Sequence, residues 1–239
     1  MTPLIEVRGL RFQYDDGTAA LNGVDFRLDP GETVALLGAN GSGKTTFVLH
    51  LNGLLAGEGA VTVCGMAVEG KNLRLVRQKV GLVFQDSENQ LFMPTVIEDV
   101  AFGLLNRGFD RASAVSRARA ALDTVGMAAA ASRAPYHLSA GEKKRVAIAG
   151  IVAMEPEVLI LDEPTASLDP PGQRALTALV ARLPQAKIIV THDVPFALAL
   201  CQRAVFFQAG VIAADGSVEE VVSRFDWRLA PPSGVSRNL

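Results

Sequence analysis

The run Gly38-Ala39-Asn40-Gly41-Ser42-Gly43-Lys44-Thr45 restricts this chain more than any other feature. It follows an apolar stretch at 33–37 and opens an amphipathic stretch at 46–54, so it sits where a strand hands over to a helix. Glycines let successive backbone N–H groups turn inward into an anion nest, and the helix N-terminus adds its partial positive charge. Phosphate is the natural ligand of such a loop. Gly38, Asn40, Gly41, Ser42 and Gly43 supply the cradle, Lys44 reaches the β- and γ-phosphates, Thr45 is placed to ligate Mg2+, and Thr46 approaches the α-phosphate.

A second run, Val158-Leu159-Ile160-Leu161-Asp162-Glu163, is a buried-strand pattern ending in two carboxylates. A core strand of an α/β sheet delivers such acids to the crevice where ligands sit. Asp162 suits Mg2+. Glu163, one residue on and directed differently, suits polarising a water that attacks the γ-phosphate. Alone, the pair reads equally well as two solvated acids; beside a phosphate loop it does not.

Strand-length apolar runs at 5–12, 33–37, 80–84, 158–161 and 187–190 alternate with longer helical stretches, the rhythm of a largely parallel sheet. Between Asp86 and Pro156 that rhythm stops, and Ala, Arg and Leu recur at helical spacing over 112–125 and 142–154. A mostly helical subdomain is expected there. The composition of Ala230-Pro231-Pro232-Ser233-Gly234 predicts a poorly ordered tail over 229–239.

The 239 residues carry 23 Lys and Arg against 25 Asp and Glu, a net charge of −2 that gives no polybasic surface and argues against nucleic acid as a partner. Two cysteines, Cys64 and Cys201, form neither a disulfide framework nor a thiolate metal site. That usage suits a reducing compartment, and cytoplasm is the expectation. No stretch reaches the ~18 apolar residues a spanning helix needs, and Met1 to Glu6 shows no signal-peptide pattern, so membrane association is expected to go through a partner.

A phosphate loop and an acidic strand end are shared by many nucleotide enzymes. Leu138-Ser139-Ala140-Gly141-Glu142, placed between the helical stretch and the acidic strand, narrows the choice because it resembles the signature motif of the ABC (ATP-binding cassette) family. The resemblance extends over about residues 4–225. It implies an α/β fold of the P-loop NTPase type, with a mostly parallel core sheet, an N-terminal antiparallel β portion and an inserted helical subdomain. One ATPase domain is expected over 1–228, with 1–85 and 157–228 as nucleotide-binding core and 86–156 as the signature subdomain.

Further positions match family elements in order. Gln85 matches the glutamine that senses Mg2+ or water and links the core to the helical subdomain. Ser167-Leu168-Asp169 matches the loop through which two subunits contact one another's sites, and Asp169 is carried over as a nucleotide-site residue. His192 matches the histidine that hydrogen-bonds the γ-phosphate and orients the catalytic glutamate, here Glu163. Tyr14 matches the aromatic that stacks on adenine. In the family the signature caps the γ-phosphate held by a second chain, so Ser139 and Gly141 are expected to serve a neighbour's nucleotide. Two residues depart from the common Leu-Ser-Gly-Gly-Gln pattern. Ala140 requires a negative φ, and Glu142 is expected to point away from the nucleotide because an acid aimed inward repels phosphate.

The segment from Asp86 to Gly103 and the run Lys143-Lys144-Arg145-Val146-Ala147-Ile148 resemble the ATPases of energy-coupling factor importers, especially of the cobalt and nickel type. Leu91, Phe92, Met93, Val96 and Phe102 beside Glu88, Glu98 and Asp99 are expected to line a groove for a short helix of a membrane subunit, with several of the apolar residues forming the core of the subdomain instead. The resemblance implies an Mg·ATP-dependent ATPase working with a second ATPase subunit, identical or paralogous, and with integral membrane subunits on the cytoplasmic face of the membrane. Another ABC importer or exporter, or a soluble ABC ATPase, stays open as an alternative. The soluble kind predicts two cassettes, a coiled-coil insertion or basic patches, which the sequence lacks.

Overall fold

A computed structural model describes residues 2–227; the tail expected over 229–239 lies outside them. The chain begins with antiparallel β1 (Ile5–Gln13) and β2 (Ala19–Leu28), followed by β3 (Thr33–Leu37) and α1 (Lys44–Leu51). Strands β4 (Glu58–Val63) and β5 (Met66–Ala67) come next, then α2 (Leu73–Lys79) and β6 (Val80–Val83). The longer elements between Val83 and Val158 are helices: α3 (Val96–Asn106), α4 (Arg111–Thr124) and α5 (Ala140–Val152). The chain then returns to β7 (Val158–Asp162), α6 (Pro170–Arg182), β8 (Ala186–Val190), α7 (Val194–Leu200), β9 (Arg203–Gln208), β10 (Val211–Ser217) and α8 (Val218–Arg224).

These strands build two sheets. One is antiparallel with order β2-β1-β4-β5; the other has order β10-β9-β3-β8-β7-β6, parallel throughout except for β10 at its edge. Period-two alternation divides the core. Val34, Leu36, Ile160, Ile188 and Val205 face the antiparallel sheet and α1, whereas Ala35, Leu37, Leu161, Ile189 and Phe206 face the helical side. Helix α1 packs in the first of these cores through Phe47, Val48 and Leu51. It is therefore not amphipathic, as its sequence led one to expect: Lys44, Thr46 and His50 are buried as well, because α1 is packed into that core rather than laid on a surface. Its span also shifts from 46–54 to Lys44–Leu51, since Gly43 at φ 108° starts it and Gly53 at φ 67° follows its end.

The parallel register positions the site. Leu36 pairs with Val190, Val190 with Asp162, and Leu161 with Val83, so β3, β8, β7 and β6 end along one edge. The residues that follow them are Gly38, His192, Glu163 and Gln85, which the sheet thereby gathers from distant parts of the chain.

Candidate functional site

A cleft of about 500 Å3 at that edge is lined by Tyr14, Asn40, Gly41, Gly43, Lys44, Thr45, Thr46, Gln85, Asp162, Glu163 and His192. Gly38 and Ser42 shape the loop without lining the cleft. Gly38 has φ 135°, and a Cβ there would stand 2.3 Å from the Phe207 carbonyl oxygen. Gly43 meets a similar wall, the Ala20 carbonyl, at 2.6 Å. Any larger residue at either place forces the backbone away from this shape.

Several polar atoms in the cleft are held or left open in ways that suit Mg2+ and phosphate. Thr45 Oγ1 donates to Asp162 Oδ2 at 3.1 Å, while Asp162 Oδ1 is buried without a partner, as is Ser42 Oγ. Burial pushes the Asp162 carboxyl above its usual range, against the opposing pull of the Thr45 hydrogen bond. A hard cation favours the ionised form, and the hydroxyl and carboxylate oxygens are the donor chemistry that Mg2+ takes. Lys44 Nζ donates to the Gly38 and Ala39 carbonyls at 2.7 and 2.9 Å, so the ammonium lies over its own loop. Burial lowers its pKa, and the nearby Glu163 and Asp162 carboxylates counter that shift.

Glu163 is 8% exposed and adopts φ 44°, a left-handed backbone that a residue other than glycine rarely takes. Its N–H donates to the Val190 carbonyl at 2.8 Å, which fixes that turn. Its Oε2 stands 2.9 Å from His192 Nδ1 and accepts the His192 backbone N–H at 3.4 Å. Tyr14 Oη and Thr46 Oγ1 lie 2.9 Å apart, so the Thr46 hydroxyl is engaged with the tyrosine. The Tyr14 ring packs edge-on against Phe12 at 4.9 Å, and Phe12 packs likewise on buried His50 at 4.8 Å. Sequence reasoning missed Phe12 and His50 as supports of this wall. Their signal was weak: an apolar residue two before Tyr14 and a histidine one turn after Thr46.

Ser139, Gly141 and Asp169 do not join this cleft. They line a separate one with Ala140, Glu142, Arg145, Ser167 and Leu168, and none of the residues lining the phosphate-loop cleft belongs to it. Ser139 caps α5, accepting the Glu142 N–H at 3.3 Å, while Glu142 Oε2 accepts the Ser139 N–H at 2.8 Å. Glu142 also pairs with Arg133 at 3.2 Å. The acid is thus consumed by its own helix end and by an arginine. Ala140 opens α5 and is not among the positive-φ residues, so the missing glycine costs nothing there. Asp169 caps α6 through the Gly172 N–H at 2.9 Å, two residues after Ser167 at φ 65°.

The expected groove over 91–102 needs correction. Val96 is fully buried in the core, Asp99 accepts the N–H groups of Phe92 and Met93 at 3.0 Å, and Glu98 accepts the Thr95 hydroxyl at 2.6 Å. Their side chains start helix α3 rather than present charge. Phe92 and Phe102 stay at the surface, 62% and 38% exposed, with rings edge to face at 5.0 Å. No helix among the described residues is long and apolar enough to cross a membrane.

Several known proteins are similar to this chain. The family description "ABC transporter" matches residues 21–166. A putative ABC transporter ATP-binding protein of Streptomyces avermitilis is 53% identical over 222 residues, covering 92% of this chain and 85% of that protein. The energy-coupling factor transporter ATP-binding protein EcfA of Methanosphaera stadtmanae is 44% identical over 227 residues, covering 92% and 82%. Among solved structures, CbiO1 of Clostridium perfringens, part of the ABC transporter complex CbiONQ, superposes with a TM-score of 0.85 at 36% identity, covering 95% of this chain and 93% of that one. The cassette MJ0796, a dimer in a post-hydrolysis state bound to ADP and Pi, gives 0.81 at 26% identity, covering 90% and 98%.

Proposed function

The chain belongs to the ABC transporter family, an ATPase that binds ATP with Mg2+ and couples its hydrolysis to transport, and from that premise we propose that it works as half of a head-to-tail pair driving an energy-coupling factor importer. The observation that carries the pairing is the separation of the two clefts: Ser139 and Gly141 line a surface apart from Lys44 and Glu163. An anion-binding helix end without its own phosphate has its use on a neighbour's. Two copies related by a twofold axis would join each phosphate loop to the other's signature, the self-complementary arrangement of an isologous dimer.

Within such a site the backbone of Asn40 to Gly43 cradles the phosphates, and Lys44 leaves its two carbonyls to meet the β- and γ-oxygens. Thr45 and Asp162, with Gln85 beside them, would hold Mg2+, which when bound neutralises charge on the phosphate oxygens. His192, with its proton on Nδ1, holds Glu163 Oε2 and leaves Oε1 to take the proton of the attacking water. Tyr14 offers its ring to adenine, braced by Phe12 and His50. Asp169 and the α5 N-terminus complete the neighbour's site. Residues 1–85 and 157–228 serve as the nucleotide core, and 86–156 as the helical subdomain that meets the membrane subunit.

Exposed Phe92 and Phe102 provide apolar surface on that subdomain for a short helix of the membrane partner, and the chain would then sit peripherally at the cytoplasmic face. A transition metal ion or a vitamin is the proposed cargo, on the likeness to EcfA and to CbiO1. Mixing two impaired variants tests the pairing. Lys44→Ala and Ser139→Ala chains each lack one half of every site, yet a mixed pair holds one site built from the intact halves. A hydrolysis rate of the mixture above that of either variant alone at the same total protein supports the head-to-tail pair; a rate no higher than the average of the two refutes it. Copurification of integral membrane subunits with the wild-type chain tests the transport role, and persistent isolation from them argues for a soluble one.

A further inference from the structure

Lys144 is 3% exposed on helix α5, five residues past Ser139. Its Nζ donates to the Gln85 carbonyl at 2.6 Å and reaches the Phe84 carbonyl at 3.4 Å. Burial lowers the ammonium's pKa, with Asp86 and Asp162 pulling the other way. An unpaired buried cation carries a large desolvation cost, and a methionine or leucine would pack the same face without it. The carbonyls that Lys144 holds are those at the start of the Gln85 loop, where the chain leaves the nucleotide core for the helical subdomain, from which it returns at 153–157.

A second contact holds α5 against β6. Gly81 in β6 lies so near α5 that a Cβ there would stand 2.1 Å from Ile151 Cγ2. From Ile151 back to Lys144 is two helical turns, about 10 Å; from Gly81 on to Gln85 is about 13 Å of extended chain. Helix α5 therefore runs beside β6 in the opposite direction, seated at its far end by Gly81 against Ile151 and at its signature end by Lys144 against Gln85. We propose that Lys144 is a positioning residue that fixes the signature end of α5 to the Gln85 loop. The group that contacts the chain's own nucleotide site and the group that caps the neighbour's then move as one body.

This inference rests on the head-to-tail reading, and one set of measurements separates the two. The full chain carrying Glu163→Gln is examined by sedimentation with and without Mg·ATP, alone and combined with Lys144→Met. Monomer affinity is read with a fluorescent ATP analogue at high dilution, and kcat is read with Glu163 intact. Lys144→Met is expected to lower kcat at least tenfold and to raise the protein concentration needed for ATP-driven dimers at least tenfold, while monomer affinity stays within twofold. Lys144→Gln, which keeps an amide donor on a shorter stem, is expected to lose about threefold in each, and it decides alone where Lys144→Met does not fold. Dimerisation and kcat within about 1.5-fold of the parent in both variants overturn the proposal. A fall in monomer affinity equal to the fall in kcat also overturns it, since that is what loosened packing would give. If Glu163→Gln alone forms no ATP-dependent dimer, the head-to-tail reading itself has failed.

Discussion

The phosphate-loop cleft and the signature cleft are both proposed to bind anions at a helix N-terminus, yet they are built differently. The first is buried and strained: Asp162 is 4% exposed, Glu163 takes a left-handed backbone, and Gly38 and Gly43 allow contacts no side chain would permit. The second is an exposed helix end whose Ser139 is already occupied by its own Glu142. One half is preorganised by its own core, and the other needs a ligand brought from outside. The difference implies that lesions in the first half already change nucleotide binding in a single chain, or remove reacting groups from the completed site. Lesions in the second should appear only when two chains meet.

The largest effect is expected at Glu163. Glu163→Gln keeps the shape but removes the proton acceptor and should lower turnover by about a thousandfold, while ATP stays bound and dimers accumulate. Turnover within tenfold of wild type would remove Glu163 from the role of base. Lys44→Ala is next: a charge-assisted contact of about 2–3 kcal/mol is lost, so monomer affinity for ATP, measured by titration, should drop by about thirtyfold or more.

Ser139→Ala is the sharper probe of the comparison. It removes a cap worth about 1 kcal/mol to α5, and kcat at fixed protein concentration should fall about tenfold with monomer affinity unchanged. A loss of monomer affinity would show that the two clefts are not independent. The smallest effect is expected from Tyr14→Ala, which removes a stacking platform of about 1 kcal/mol. KM for ATP should then rise about fivefold with kcat preserved, and a change in kcat instead would place Tyr14 nearer the reacting atoms.

The first half was the more legible in sequence, because its signals are contiguous. The run Gly38 to Thr45 and the strand ending in Asp162-Glu163 each carry their chemistry within a few residues, and the parallel sheet did the rest. Strands β2, β4, β5, β9 and β10 lie outside the strand-length runs expected from sequence, although Leu21, Val24, Phe26 and Leu28 of β2 point inward. The β1–β2 ladder is interrupted by bulges, and the edge strand β10 is mostly half-exposed, so neither gives a clean period. The apolar residues of α3 divide by helical spacing: Val96, Val100 and Leu104 form its buried face, while Phe102 stays at the surface. Lys144 was passed over inside a basic run, yet it shares a helix face with buried Ile148, one turn on, and that spacing was the available sign of its burial.

The most direct test is the specific ATPase rate of the purified chain as a function of its own concentration at saturating Mg·ATP. If each catalytic centre is completed by a neighbour, the rate per chain falls toward zero as dilution converts pairs to monomers. A rate per chain that stays constant well into the monomeric range would mean that one chain closes its own site, and the account would be wrong.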